Sequence, residues 1–331
     1  MSAAGIAFWR RWPVAGWRPR GLATASQIEG PSEMPGVTIG GYALVRTFAH
    51  GALGELHLAT HPRSGQPVAI KTVRLHGSEL TRERFLREST AAARLRHTGI
   101  VRCHDTGIEG QGERAFGWIA MEWVAGSDLS RYATAPRLLP EPLVLELAAQ
   151  AAEALAHAHA RGVVHRDLKP ANLLFNPVKG QLKITDFGCA HLSDAERSRS
   201  GVLAGTPVYM APEQLTGAPV DGRCDLYALG VVLFELLTGR LPFDPSASLG
   251  ELLQAVAKAP PTPLASLRPD LPPALAGLVE RLLAKRPADR PADGQAVAAE
   301  LRTLTAGLVS PEGGIAGGTG TMAAPPRPLP T

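Results

Sequence analysis

Residues 164–174, VHRDLKPANLL, hold Asp167, Lys169 and Asn172 within a span of six, and Asp186 follows fourteen residues after Asn172 in ITDFGCA. Two carboxylates, an amide and an ammonium so placed offer oxygen ligands for a hard divalent cation, a proton acceptor, and a positive charge for an anionic substrate. Magnesium keeps several waters, so one carboxylate and one amide suffice; Asp186 and Asn172 are the candidates. A further cation, Lys71, ends Val68-Ala69-Ile70-Lys71, where alternation along a strand puts Ala69 and Lys71 on one face. Other metal readings are poorer. His157 and His159 sit at i and i+2 of a helix and point away from each other. Cys103, Cys189 and Cys224 are widely spaced with no C-x-x-C, so neither a zinc site nor a disulfide framework is indicated.

The elements that must position these groups are of two kinds. Residues 42–73 read as short strands broken by turns: YALVRTFA, a Gly-containing bend at 50–54, ELHLAT, the turn HPRSGQ, then PVAIKTV. A small antiparallel sheet is expected there. Residues 81–95 read as a helix with Phe85, Glu88, Ala92 and Leu95 on one face, which leaves Glu88 as a carboxylate on an apolar stripe. Residues 141–160 form a second helix, with Val144, Leu147, Ala148, Ala151 and Leu155 on its stripe and Gly162 as its C-terminal stop. Residues 224–237 are apolar nearly all round, which predicts a buried central helix ending at Gly239. A strand-rich first third and a helix-rich remainder give an α+β chain with two lobes of different class.

Taken in order, a Gly-containing bend, V-A-I-K, a helical Glu, H-R-D-L-x-x-x-N, D-F-G and A-P-E resemble the eukaryotic-type (Hanks-type) serine/threonine protein kinases, bacterial members included, over residues 40–305. The resemblance implies a bilobal fold, with a β-rich N-lobe over about 40–124 and a larger helical C-lobe over about 125–305. It implies transfer of the γ-phosphate of ATP to Ser/Thr hydroxyls of protein substrates, with Mg2+ or Mn2+ as the metal. Asp167 then accepts the proton of the attacking hydroxyl, Lys169 holds the γ-phosphate, and Asn172 and Asp186 hold the metal. Lys71 pairs with Glu88, which explains the carboxylate on the apolar stripe. Residues 121–128 resemble the interlobe hinge: the backbone of Glu122 and Val124 reads the adenine edge, Met121 backs the pocket, Leu174 and Ala69 line it, and Asp128 reaches the ribose. His165 is structural, Glu213 pairs with Arg290, and Asp225 holds the catalytic-loop backbone.

The Gly-rich loop departs from the family. Residues 49–54, AHGALG, keep Gly51 and Gly54, which let backbone N–H groups approach phosphates, but Ala49 stands at the first glycine. That substitution is a weak argument for a pseudokinase. A small-molecule phosphotransferase is a third option, and the full A-P-E segment counts against it. Within 186–213, Ser198 and Ser200 are expected autophosphorylation sites that Arg166 would order against, and Thr206 is expected to contact Asp167 and Lys169.

The chain has 331 residues, 45% hydrophobic and 19% charged, which excludes disordered, collagenous and disulfide-scaffold classes. Its net charge of +4 equals the four arginines of residues 1–28, a stretch without acids, so the remainder is neutral and no nucleic-acid partner is expected. Residues 1–36 read as a flexible basic leader carrying Trp9, Trp12 and Trp17, open to three readings: an interfacial membrane-touching segment, a transit-like peptide, or an extension before a start at Met34; residues 306–331 read as a disordered Gly/Pro-rich tail. No apolar run is long enough to cross a membrane. A cytoplasmic location, protein substrates and a cognate phosphatase complete the expectations.

Overall fold

The computed structural model describes residues 36–51, 54–75, 79–187 and 207–309. Its first part is a six-stranded antiparallel sheet of β1 (Thr38–Ile39), β2 (Tyr42–Gly51), β3 (Gly54–Thr60), β4 (Pro67–Arg74), β5 (Cys103–Glu109) and β6 (Phe116–Glu122), in the order β1-β2-β3-β4-β6-β5. Helix α1 (Glu79–Ala93) packs on it through Phe85, which is fully buried against Gly117; a Cβ at that glycine would lie 2.5 Å from the ring. The helix ends two residues before its expected limit. Its last turn tightens into three-residue hydrogen bonds, Arg94 N–H to the Ala91 carbonyl and Leu95 N–H to the Ala92 carbonyl.

A second, three-stranded sheet, β7 (Ser127–Asp128), β8 (Leu173–Asn176) and β9 (Gln181–Ile184), lies at the start of the helical part. The helices are α2 (Glu141–His159), α3 (Pro212–Thr216), α4 (Arg223–Thr238), α5 (Leu249–Lys258), α6 (Leu264–Leu267), α7 (Pro273–Leu282) and α8 (Gly294–Val309). Their core runs from Leu143 to Ala158 along α2 and from Cys224 to Leu237 along α4, continuing into α7 and α8. Gly162 closes α2 as expected: it adopts φ 72°, its N–H reaches the His159 carbonyl, and the Val163 N–H reaches that of Ala158. Gly239, at φ 70°, closes α4 in the same left-handed conformation.

The two parts are joined by residues 99–101 as well as by the hinge. Ile184 of β9 donates to the Gly99 carbonyl at 2.8 Å, and Val101 donates to the Ile184 carbonyl at 2.9 Å. The segment leaving α1 is thereby bonded to the strand that leads into Asp186.

Candidate active site

The floor of the site is built on α4. Asp225 is completely buried in its first turn and accepts the N–H of His165 at 2.8 Å and of Arg166 at 2.7 Å, while its Oδ2 also lies 2.7 Å from His159 Nε2. Burial pushes this carboxyl up, but the His159 hydrogen bond and the nearby imidazoles outweigh it and hold the group below the usual carboxylate range. Arg166 is thereby held at φ 66°, a conformation rare outside glycine. The ring of His165 accepts the Asp167 N–H at Nδ1, at 3.2 Å, so Nε2 carries the proton and donates to the Thr185 carbonyl at 2.8 Å. These bonds join the loop of Asp167 to the strand before Asp186.

That floor carries the chemistry-bearing side chains in two bonded groups, Asp167 with Lys169 and Asn172, and Asp186 with Lys71. Lys169 Nζ donates to Asp167 Oδ2 at 2.8 Å, and Asn172 Nδ2 donates to the Asp167 carbonyl at 2.7 Å. The Thr185 N–H donates to the Asn172 carbonyl at 3.0 Å. Asp186, like Arg166, has φ 66°, and its Oδ1 lies 2.9 Å from Lys71 Nζ. Burial raises the pKa of Asp186, but the charge and hydrogen bond of Lys71 overcome it and keep the carboxyl ionised below its ordinary range. An ionised Asp186 carboxylate, one residue after the Thr185 that bonds to Asn172, makes with that amide a donor set of the chemistry that fits magnesium. Glu88 is half-buried on α1, beside the fully buried Phe85 and the buried Ser89.

Above the floor opens a cavity of about 680 Å³, within the usual size range of small-molecule sites. Ala69, Lys71, Glu122, Val124, Asp128, Leu174, Met121, Gly54 and Asp186 all line it, as do Ala49 and Ala171. Gly51 pairs in register with Gly54 where β2 meets β3. Gly54 has a reason of its own to be glycine. At φ 155° a Cβ there would lie 1.9 Å from the Thr72 carbonyl oxygen of β4, so its small size serves strand packing as well as any phosphate approach. Asp128 faces the cavity, and its Oδ1 also accepts the Ser130 N–H at 3.0 Å.

Several lining features were not legible in the sequence. The Glu122 side chain turns to Lys183 of β9 at 2.7 Å and accepts the Arg102 N–H at 3.0 Å, tying the hinge to the lower sheet. Thr185 Oγ1 lies 3.7 Å from Met121 Sδ behind the cavity. Phe48 and Trp123 line the mouth as a stacked pair. The lysine three residues before D-F-G and the hinge tryptophan were visible as residue types, but nothing in their spacing paired them with partners so far along the chain. Glu213 and Arg290 do pair as expected, at 2.6 and 2.8 Å and fully buried. Ser198, Ser200 and Thr206 lie outside the described residues.

Comparison with known proteins now decides the family. The profile of the protein kinase domain matches residues 42–301. The chain belongs to the Hanks-type serine/threonine protein kinases. It is 38% identical over 275 residues to the serine/threonine-protein kinase pkn3 of Myxococcus xanthus, covering 80% of this chain and 50% of that protein. It is 38% identical over 283 residues to PknA of Mycobacterium tuberculosis, covering 83% and 64%. In structure it resembles the crystallised kinase domain of M. tuberculosis PknI, with a TM-score of 0.66 at 34% identity over 84% of this chain and 100% of that domain. The kinase thus spans half or less of the length of several curated relatives it matches. Among its described residues, no helix is long and apolar enough to cross a membrane.

Proposed function

We propose that this chain is an active serine/threonine protein kinase that transfers the γ-phosphate of ATP to protein hydroxyls. The observation that carries the reading is that Lys71 and Asp186, 2.9 Å apart, line one cavity, while Asp167, bonded to Lys169 and to Asn172, sits on the loop that His165 joins to the strand before Asp186. Asp186 and Asn172 would hold the magnesium, which when bound neutralises phosphate charge. Asp167 Oδ2, fixed by Lys169, accepts the proton of the acceptor hydroxyl as it attacks. Lys169 then sits where an ammonium can stabilise the transferred group, and Lys71 orients the remaining phosphates. Glu88 is the proposed partner of Lys71 in the nucleotide-bound state. The backbone at Glu122 and Val124 reads the adenine edge, with Ala69 and Leu174 above and below it, and Asp128 reaches the ribose. The floor needs no rearrangement to present these groups, because Asp225 and His165 already fix the loop that carries them.

The reading extends to autophosphorylation of the activation segment at Ser198 and Ser200, with Arg166 as the cation that orders against the phosphate. Buried, unbridged thiols at Cys103 and Cys224 support a reducing, cytoplasmic setting. The test is label transfer from ATP to a protein substrate by wild type, Asp167→Asn and Lys71→Ala. Both variants are expected to lose at least about a hundredfold in rate. Equal transfer by all three overturns the proposal, and absence of phosphate from residues 186–213 after incubation with Mg-ATP overturns the autophosphorylation part.

A further inference from the structure

We propose that Phe48 and Trp123, with Arg46 beside them, form a clasp that fixes the β2–β3 hairpin to the hinge and thereby sets the affinity for nucleotide. The inference rests on reading the cavity as the nucleotide site. The two rings are 75 positions apart in the chain, yet their centroids are 4.9 Å apart and their planes 14° from parallel. The Arg46 guanidinium carbon sits 4.3 Å from the Phe48 centroid, adding a cation–π contact. Phe48 is 37% exposed and belongs to none of the buried clusters, so core packing does not account for its position.

The backbone beneath the stack is built to aim it. In the β2–β3 pairing, Thr47 faces His57 and Ala49 faces Leu56, so Phe48 is an extra residue in β2. Leu44 faces Ala59 and Arg46 faces Leu58, which makes Val45 a second extra residue three positions earlier. Each such bulge breaks the two-residue alternation, bends the strand and redirects a side chain. Two bulges flank Arg46 and Thr47, and the product is a strand whose aromatic residue leaves the hairpin to meet the hinge. The same hairpin carries Ala49, Gly51 and Gly54, and Trp123 lies between Glu122 and Val124. The clasp therefore connects the part that would cover the phosphates to the part that would read the base. Were it broken, the hairpin would keep its ladder to β4 but lose its tie at the cavity mouth.

The expected effects are specific. Phe48→Ala and Trp123→Ala each weaken Mg-ATP binding, measured by calorimetry, by roughly three- to tenfold, the scale of one lost aromatic pair. Their change in KM for ATP exceeds their change in kcat. The double variant is no weaker than the worse single one, and Phe48→Tyr and Trp123→Phe restore most of the affinity. In nucleotide-free protein, amide hydrogen exchange over residues 42–60 rises in Phe48→Ala and returns in Phe48→Tyr. Asp186→Asn separates the two levels of the argument. If it leaves Mg-ATP binding unchanged, the nucleotide-site reading fails; if it weakens binding while Phe48→Ala stays within 1.5-fold of wild type, the clasp fails. Multiplicative losses in the double variant, or unchanged exchange over residues 42–60, also overturn it.

Discussion

The floor and the roof of the cavity are held in different ways. The floor is fixed by buried charges: Asp225 fully inside with two backbone donors and His159, and Glu213 locked to Arg290. The roof is fixed by strand pairing, by the close approach of Gly54 to β4, and by contacts at its edge that water reaches, such as His50 Nδ1 to Glu55 at 3.0 Å. The difference teaches where each kind of energy is useful. Groups that move a proton must be placed to a fraction of an ångström, and buried hydrogen-bonded charges allow few alternatives. A segment that, under the proposed function, covers and releases nucleotide must open, which fits attachments that are individually modest.

The comparison predicts that damage to the floor costs stability and chemistry together. Asp225→Ala removes the acceptor for two buried N–H groups and the partner of His159, and is expected to cost about 3–5 kcal/mol in urea unfolding with loss of transfer activity. Arg290→Met leaves the Glu213 carboxylate buried without its cation, and the melting temperature should fall by roughly 6–12 °C. Acid sharpens the same contrast. The folded pKa of Asp225 is depressed, so its contribution is present above the unfolded value near ~3.9 and is lost as pH falls through the folded one. Asp225→Asn should therefore show a shallower loss of stability over that acid window; an unchanged slope would remove Asp225 from the account. On the roof, Gly54→Ala places a Cβ against the Thr72 carbonyl and should weaken Mg-ATP binding about tenfold by calorimetry, with a smaller fall in melting temperature than either floor variant. Lys183→Met, which cuts a partly exposed hinge tie, is expected to change that affinity by less than about threefold. A larger loss of stability from Gly54→Ala than from Arg290→Met would break the distinction between floor and roof.

Much of the floor was legible in the sequence because its residues are chemically distinctive and fall in motifs whose order carries the family resemblance. Asp167, Lys169 and Asn172 fall in one turn-rich stretch, and the all-round apolar pattern of α4 marks a helix that must be buried, which makes Asp225 within it conspicuous. The roof was legible only as strands and glycines. Bulges carry no composition signal, so the alternation of YALVRTFA predicts a regular strand and conceals that Phe48 is aimed at Trp123. Gly54 was read as room for a phosphate, whereas its nearest obstruction is the protein's own Thr72 carbonyl. The Glu122–Lys183 tie joins residues 61 apart that no local pattern relates. Side chains belonging to a recognisable motif were placed, including the distant pairs Glu213–Arg290 and Asp225 with the Asp167 loop, which only the family resemblance related; those whose partners are set by a sheet edge or a hinge were not.

The attachment of residues 99–101 to β9 ties the exit of α1 to the approach of Asp186. The chain just beyond the C-terminus of the helix is bonded on both sides of Ile184, two residues before Asp186, while Phe85, buried against Gly117, holds the body of the helix to the upper sheet. Glu88 and Asp186, the two carboxylates expected to answer to Lys71, are therefore carried by elements that share one backbone junction, and a shift of the segment after α1 must be accommodated by the strand that leads to Asp186.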